Sequence, residues 1–338
     1  MSHMKAMIVG VSGLVLQPDE KKFIAEHQPW AFILFARNIG TAEEVRNLTA
    51  SIRQACGRDD VFIFIDQEGG RVQRLRAPLA PDYPPAATLG AIYKKDNEKG
   101  KRAAWLMSRL HAFDLKRLGI NADCLPLLDV PIEGADNVIG SRAYANDPET
   151  VTIMGRAAAN GLRDGGVLPV MKHIPGHGRA LCDTHKSLAR VDAPLELLQT
   201  TDFAPFKALS DLPVAMTAHV VYECVDQHKP ATLSKPVVEE IIRKDIGFDG
   251  LLMTDDLSMK ALSGSFDELT HQAFAAGCDV VLHCNGEREE MLPIADATPW
   301  LQGNALERAK RAHAYIQHSS DADEDLLREE FKTLLAIA

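Results

Sequence analysis

Val61-Phe62-Ile63-Phe64-Ile65-Asp66 is an apolar run, β-branched at every second residue, that ends in a carboxylate. Its length and composition read as a short buried strand. Runs of the same kind recur near 7–12, 30–36, 122–130, 167–173, 212–218, 249–254 and 279–284, which with 61–66 makes eight. Helical periodicity fills the intervals. Thr41-Ala42-Glu43-Glu44 is a capping box, with Val45, Leu48, Ile52 and Cys56 following at helical spacing. Ser234-Lys235-Pro236 opens a helix that carries Val238, Ile241 and Ile242 on one face and stops before Gly247. Segments 97–118, 148–164, 194–209 and 266–276 read as helices too, and 304–338 adds one or two amphipathic ones. Eight strands alternating with helices in about 300 residues predict an α/β protein with a closed (β/α)8 TIM barrel. A doubly wound open sheet normally uses fewer strands, and no G-x-G-x-x-G follows the first strand to support its dinucleotide-binding form.

No low-complexity or Pro/Gly-rich linker divides the chain, so one catalytic barrel is expected over residues 4–338 with extra C-terminal helices. Met1-Ser2-His3 reads as an expression-vector remnant. The 338 residues are 46% hydrophobic and 25% charged, the balance of a globular protein. No stretch reaches the roughly 20 apolar residues of a membrane span. The net charge of −10 carries no basic cluster, which argues against nucleic acid as a partner. The run Met7 to Gln17 lacks a cleavage site and reads as a strand, not a signal peptide. Six scattered cysteines without a C-x-x-C pair fit reduced thiols. A cytoplasmic location is the expectation.

In such a barrel, functional side chains gather at the C-terminal ends of the strands. Six ends carry a polar group here: Asp66, Asp129, Lys172-His173, His219, Asp255-Asp256 and Asn285. The set predicts a polar cleft of sugar size. Asp255 is placed to attack an anomeric carbon, and Lys172, Arg74 and Arg142 are candidate cations to keep it ionised. Strand alternation sends Asp256 the other way, to a capping or supporting role. After strand five, Lys172-His173-Ile174-Pro175-Gly176-His177-Gly178 runs on to Asp183-Thr184-His185 in an irregular loop. Asp183 lies two residues from His185, close enough to orient the imidazole as a proton donor. The spacing of His173, His177 and His185 matches no zinc signature, so neither metal nor cofactor is expected. His177 reads equally well as a loop histidine bonded to backbone.

At these positions the sequence resembles the family 3 glycoside hydrolases, in the branch of bacterial β-N-acetylglucosaminidases. The matching pieces are Ile33-Leu34-Phe35-Ala36-Arg37-Asn38, Asp66-Gln67-Glu68-Gly69-Gly70-Arg71-Val72-Gln73-Arg74 and Ile139-Gly140-Ser141-Arg142. The loop after strand five, Ala218-His219-Val220 and Thr254-Asp255-Asp256-Leu257-Ser258-Met259 complete the set in the family's order. Ile174 and Thr184 depart from it, where phenylalanine and serine are expected.

The resemblance implies Asp255 as nucleophile, His185 with Asp183 as acid/base on a mobile loop, and Asp66, Arg74, Arg142, Lys172 and His173 as sugar contacts. It implies retention of configuration and a muropeptide substrate, N-acetylglucosamine linked to 1,6-anhydro-N-acetylmuramic acid, in peptidoglycan recycling. Chitin fragments, phosphorolysis and a catalytically silent sugar-binding barrel are the alternatives. The chain has no room for the second domain that supplies the acid in many relatives, so its own loop at 174–190 must do so. Oligomeric state is not legible.

Overall fold

The protein is described from a computed structural model that covers residues 3–184, 187–317 and 319–338. Eight parallel strands close into a barrel: β1 (Lys5–Gly10), β2 (Pro29–Leu34), β3 (Phe62–Ile65), β4 (Ala122–Asp123), β5 (Leu168–Ile174), β6 (Val214–Thr217), β7 (Leu251–Asp256) and β8 (Val280–His283). Each strand pairs with its sequence neighbours, and β8 closes on β1 through Met7–Val281, Ile8–Leu282 and Val9–His283. This is the predicted (β/α)8 fold.

Period-two alternation divides the core in two. Ile8, Phe62, Phe64, Leu168, Val170, Leu251, Met253, Val280 and Leu282 fill the barrel interior. Their neighbours Val9, Ile63, Met171, Leu252 and Val281 face the surrounding helices. A strand buried on both faces has no polar side to alternate, which explains the continuous apolar runs.

The helical ring is α1 (Pro18–His27), α2 (Ala42–Cys56), α3 (Ala86–Lys95), α4 (Asn97–Lys116), α5 (Pro148–Asp164), α6 (Leu195–Thr200), α7 (Ala204–Ala208), α8 (Phe266–Ala276) and α9 (Arg288–Ala297). Between α7 and α8, Val237–Asp245 winds with π-helical hydrogen bonding. The Thr41 box forms as expected: Glu44 N–H donates to the hydroxyl at 3.2 Å, and Thr41 N–H donates to the Glu44 carboxylate at 2.7 Å. Two C-terminal helices follow, α10 (Gly303–Tyr315) and α11 (Glu324–Leu335). Among the described residues no helix is long and apolar enough to cross a membrane, and all six cysteines are free.

Three details differ from the sequence reading. The expected helix 194–209 is broken into α6 and α7 around Thr201-Asp202-Phe203, where Asp202 turns inward to meet Arg179. The run 122–130 pairs as strand only at Ala122–Asp123, with one further bridge from Leu127 to Lys172; Pro126 supplies no N–H to extend a ladder. Helices α1, α3 and α9 were not anticipated at all.

Candidate active site

The interior parity of each strand determines what enters the mouth of the barrel. Phe62 and Phe64 face inward, so the next residue of that parity, Asp66, projects into the opening. Lys172 follows Leu168 and Val170 in the same way, Asp255 follows Leu251 and Met253, and Cys284 follows Val280 and Leu282. Together with Arg74, Arg142 and His173 they line a cavity of about 270 Å3 whose apolar wall includes Ile33, Met216 and Leu282.

Its polar wall is a row of alternating charges. Arg142 grips Glu68 through two bonds, Nε to Oε2 at 2.8 Å and Nη2 to Oε1 at 2.7 Å. Lys172 Nζ reaches Glu68 Oε1 at 2.6 Å and Asp66 Oδ1 at 3.0 Å, and Arg74 Nη2 meets Asp66 Oδ2 at 3.0 Å. Burial alone would push the Glu68 carboxyl up, but Arg142 and Lys172 outweigh it and hold the pKa at about 2. The same contest leaves Asp66 well below the ordinary carboxylate range, under Lys172 and Arg74. Lys172, although buried, is held above the ordinary lysine value by Asp66 and Glu68. Asp66, Glu68, Lys172 and Arg142 are therefore charged at neutral pH.

Beside this row, Asp129 organises the root of the β5 loop. Its Oδ2 lies 2.7 Å from His173 Nδ1, and its Oδ1 accepts the backbone N–H of His177 at 2.7 Å. Asp129 is fully buried and does not line the cavity. Burial raises its carboxyl, yet His173 and the His177 amide bring it down to about 2. His177 Nε2 sits 3.0 Å from the Thr184 hydroxyl. Burial, with His173 adding to it, lowers the His177 pKa to about 4, so the ring is neutral. Asp183 is on the same loop and half-buried, whereas His185 lies outside the described residues.

Across the cavity, Asp255 Oδ1 accepts the Asp256 N–H at 2.8 Å, and Asp255 N–H donates to Thr217 Oγ1 at 3.3 Å. The Asp256 carboxylate accepts from Ser258 N–H, Cys284 N–H and, at 2.6 Å, the Ser258 hydroxyl. That is the supporting role expected, although Asp256 also touches the cavity edge. His219 stays out of the cavity; its ring spans Thr232 Oγ1 at 2.7 Å and the Asp256 carbonyl at 2.9 Å, fixing β7 from behind.

Of the residues expected to form the site, Asp255, Asp66, Arg74, Arg142, Lys172 and His173 are brought into one cavity. Two were missed. Glu68 lies at i+2 from Asp66, and that period-two spacing was the available signal. Arg37 also lines the cavity, donating through Nε to the Val11 carbonyl at 2.9 Å and bonding the Cys284 carbonyl through Nη2. Its available signal was its place in Ile33-Leu34-Phe35-Ala36-Arg37-Asn38, one of the pieces that carry the family resemblance.

Residues 5–309 match the glycosyl hydrolase family 3 N-terminal domain. A β-hexosaminidase of Alkalilimnicola ehrlichii is 36% identical over 283 residues, covering 82% of this chain and 80% of that protein. The structure of NagZ from Neisseria gonorrhoeae in complex with N-trifluoroacetyl-D-glucosamine superposes with a TM-score of 0.87 at 30% identity over the whole of both chains. A family 3 β-N-acetylglucosaminidase from a Paenibacillus species gives a TM-score of 0.86 at 29% identity, over 97% of this chain and 66% of that one. The chain belongs to glycosyl hydrolase family 3 and is a glycoside hydrolase of the β-N-acetylhexosaminidase type.

Proposed function

We propose that the protein is a retaining exo-β-N-acetylglucosaminidase that removes one terminal sugar at a time. The observation that carries this reading is Asp255 sharing a cavity with Arg142, Lys172, Asp66 and Arg74, the members of the alternating row that line it, with Glu68 behind them. Such a row offers donors and acceptors side by side with nearly balanced charge, which suits the hydroxyls of a neutral sugar.

In the first displacement an Asp255 oxygen attacks the anomeric carbon as the bond to the leaving oxygen breaks, and the His185 imidazolium, oriented by Asp183, gives its proton to that oxygen. In the second, neutral His185 takes a proton from water, whose oxygen attacks the same carbon and frees Asp255. Two inversions at one carbon retain configuration. Asp66, Arg74, Arg142, Lys172 and His173 hold the sugar. The cycle uses no metal or cofactor. The natural substrate we assign is a cytoplasmic muropeptide fragment, N-acetylglucosamine linked to 1,6-anhydro-N-acetylmuramic acid. This assignment rests on the motif resemblance together with the likeness to NagZ.

The test is release of 4-nitrophenol from its N-acetyl-β-glucosaminide, with a chelator present, by the wild type and Asp255→Asn. The wild type is expected to turn over and the variant to lose at least about 1,000-fold in kcat. Equal rates in the two proteins would remove Asp255 as nucleophile. Abolition by the chelator alone would replace the mechanism with a metal-dependent one.

A further inference from the structure

Four members of the charged row line the cavity, but Glu68 does not. It is 3% exposed, stands behind the wall, and joins Arg142 to Lys172 as Asp66 joins Lys172 to Arg74. We infer that Glu68 is a positioning residue: it sets the two cations that grip the sugar, without touching the sugar. This rests on the proposed sugar-binding role of Arg142 and Lys172.

The geometry supports the assignment from both sides. Arg142 belongs to a 310 turn, Gly140–Arg142, outside the barrel strands, so no ladder of main-chain bonds determines where its guanidinium goes. Besides Glu68, its side chain bonds the Val138 carbonyl at 3.2 Å. The forked pair with Glu68 is what defines the plane and direction of the guanidinium, because two parallel bonds allow one orientation and a single bond allows many. Lys172 is anchored differently. Its Nζ lies between Asp66 and Glu68, and losing either acceptor would let it swing toward the other.

Glu68 itself sits in a short hairpin whose register shifts at its position, between Gln67 and Gly69, and it reaches the same lysine as Asp66. Asp66 and Glu68 point to the same side of the short hairpin Gln67–Gly69/Val72–Gln73, whose turn passes through Gly69 at φ +94° and Gly70 at φ +59°. Between them, the Gln67 N–H donates to Asp123 Oδ1 at 2.9 Å. That bond pins the hairpin to β4 and delivers both carboxylates to one face. Tyr144 and Asp123 are close enough to feel the Glu68 charge.

The decisive variants are Glu68→Gln, which keeps shape but removes charge, and Glu68→Asp, which keeps charge but shortens the reach. For E68Q we expect KM for the aryl glucosaminide and Ki for N-acetylglucosamine each to rise about tenfold, with kcat down about tenfold as well. E68D should recover part of both losses. A purely structural role would instead lower the melting temperature and leave KM and Ki of the folded fraction unchanged, and that result overturns the inference. Wild-type inactivity would count against the glucosaminidase reading. The crystal structure of E68Q would still decide this one, because Arg142 and Lys172 keeping their places would refute it.

Discussion

His177 shows how one side chain ties stability to pH. Burial keeps its imidazole neutral until about pH 4, whereas the unfolded chain protonates near 6.5. Between those values the unfolded state binds the extra proton, so acid favours unfolding. The contribution is whole above pH 6.5 and is lost as the pH falls toward 4, with an upper limit of about 3 kcal/mol. Asp129 and Asp255 face this ring and partly offset the burial, and His173 adds to it. His111, lowered to about 3 by burial and Arg328, and His313, lowered to about 4, steepen the same interval. Melting temperature measured from pH 7 to 4 should therefore fall for the wild type and fall less steeply for His177→Gln. An identical slope in the two proteins would rule out His177 as a contributor.

Among elements, the β5 loop is the one that carries the proposed acid/base pair. Its first half is tied down. Arg179 Nε meets Asp202 Oδ2 at 2.6 Å, Tyr222 OH donates to the Gly176 carbonyl, and Ala180 O accepts from Asp136 N–H at 2.9 Å. Beyond it, Ala261 N–H donates to the Thr184 carbonyl at 3.2 Å, Ser187 N–H donates to the Asp183 carbonyl at 3.1 Å, and Ala189–Val191 pairs with Val220–Tyr222. The root of the loop is thus held by three neighbouring segments, whereas His185, the residue the expected mobility concerns, lies outside the described residues. Gly178 is required at that root, because a Cβ there would lie 2.0 Å from the Val130 carbonyl oxygen. Gly178→Ala must displace either the loop or the β4 exit. We expect kcat to drop at least about tenfold, with the far-ultraviolet circular dichroism of the barrel unchanged. Wild-type kcat in this variant would mean the root does not position the acid/base.

At the scale of the whole molecule, the C-terminal part completes the core. Ala309 and Ala312 on α10 are fully buried with Trp30, Phe62 and Leu301 in the interior cluster, and His313 stacks on Phe62 at 4.1 Å. The helix therefore closes the end of the barrel opposite the cavity. Ala309→Glu would place an unpaired charge in that plug and should cost about 3 kcal/mol or more, read as a shift in the urea midpoint. A midpoint within error of the wild type would mean that the helix merely lies on the surface. Helix α11 packs Phe331, with Leu327, Leu334 and Leu335, against the outer core cluster, and polar contacts add to it: Arg328 Nη2 bonds Asp114 Oδ1 at 2.6 Å, and Arg102 pairs with Glu330 at 2.7 Å.

By itself the sequence determined the strand count, the parallel alternation and the strand ends that carry Asp66, Lys172 and Asp255. Those are local matters, because a run buried on both faces must be apolar and the next residue must leave the barrel. It also marked the Thr41 box and the segments of α4, α5 and α8, where caps and helical period agree. Only the tertiary structure decided that Glu68 binds Arg142, 74 positions along the chain, and that Asp129 serves the backbone of His177 and not the cavity. Nor could local pattern show that 194–209 is interrupted, since Asp202 turns inward for a partner on another loop. A charge chooses its partner by distance in space, and periodicity reports only which face of one element a residue occupies.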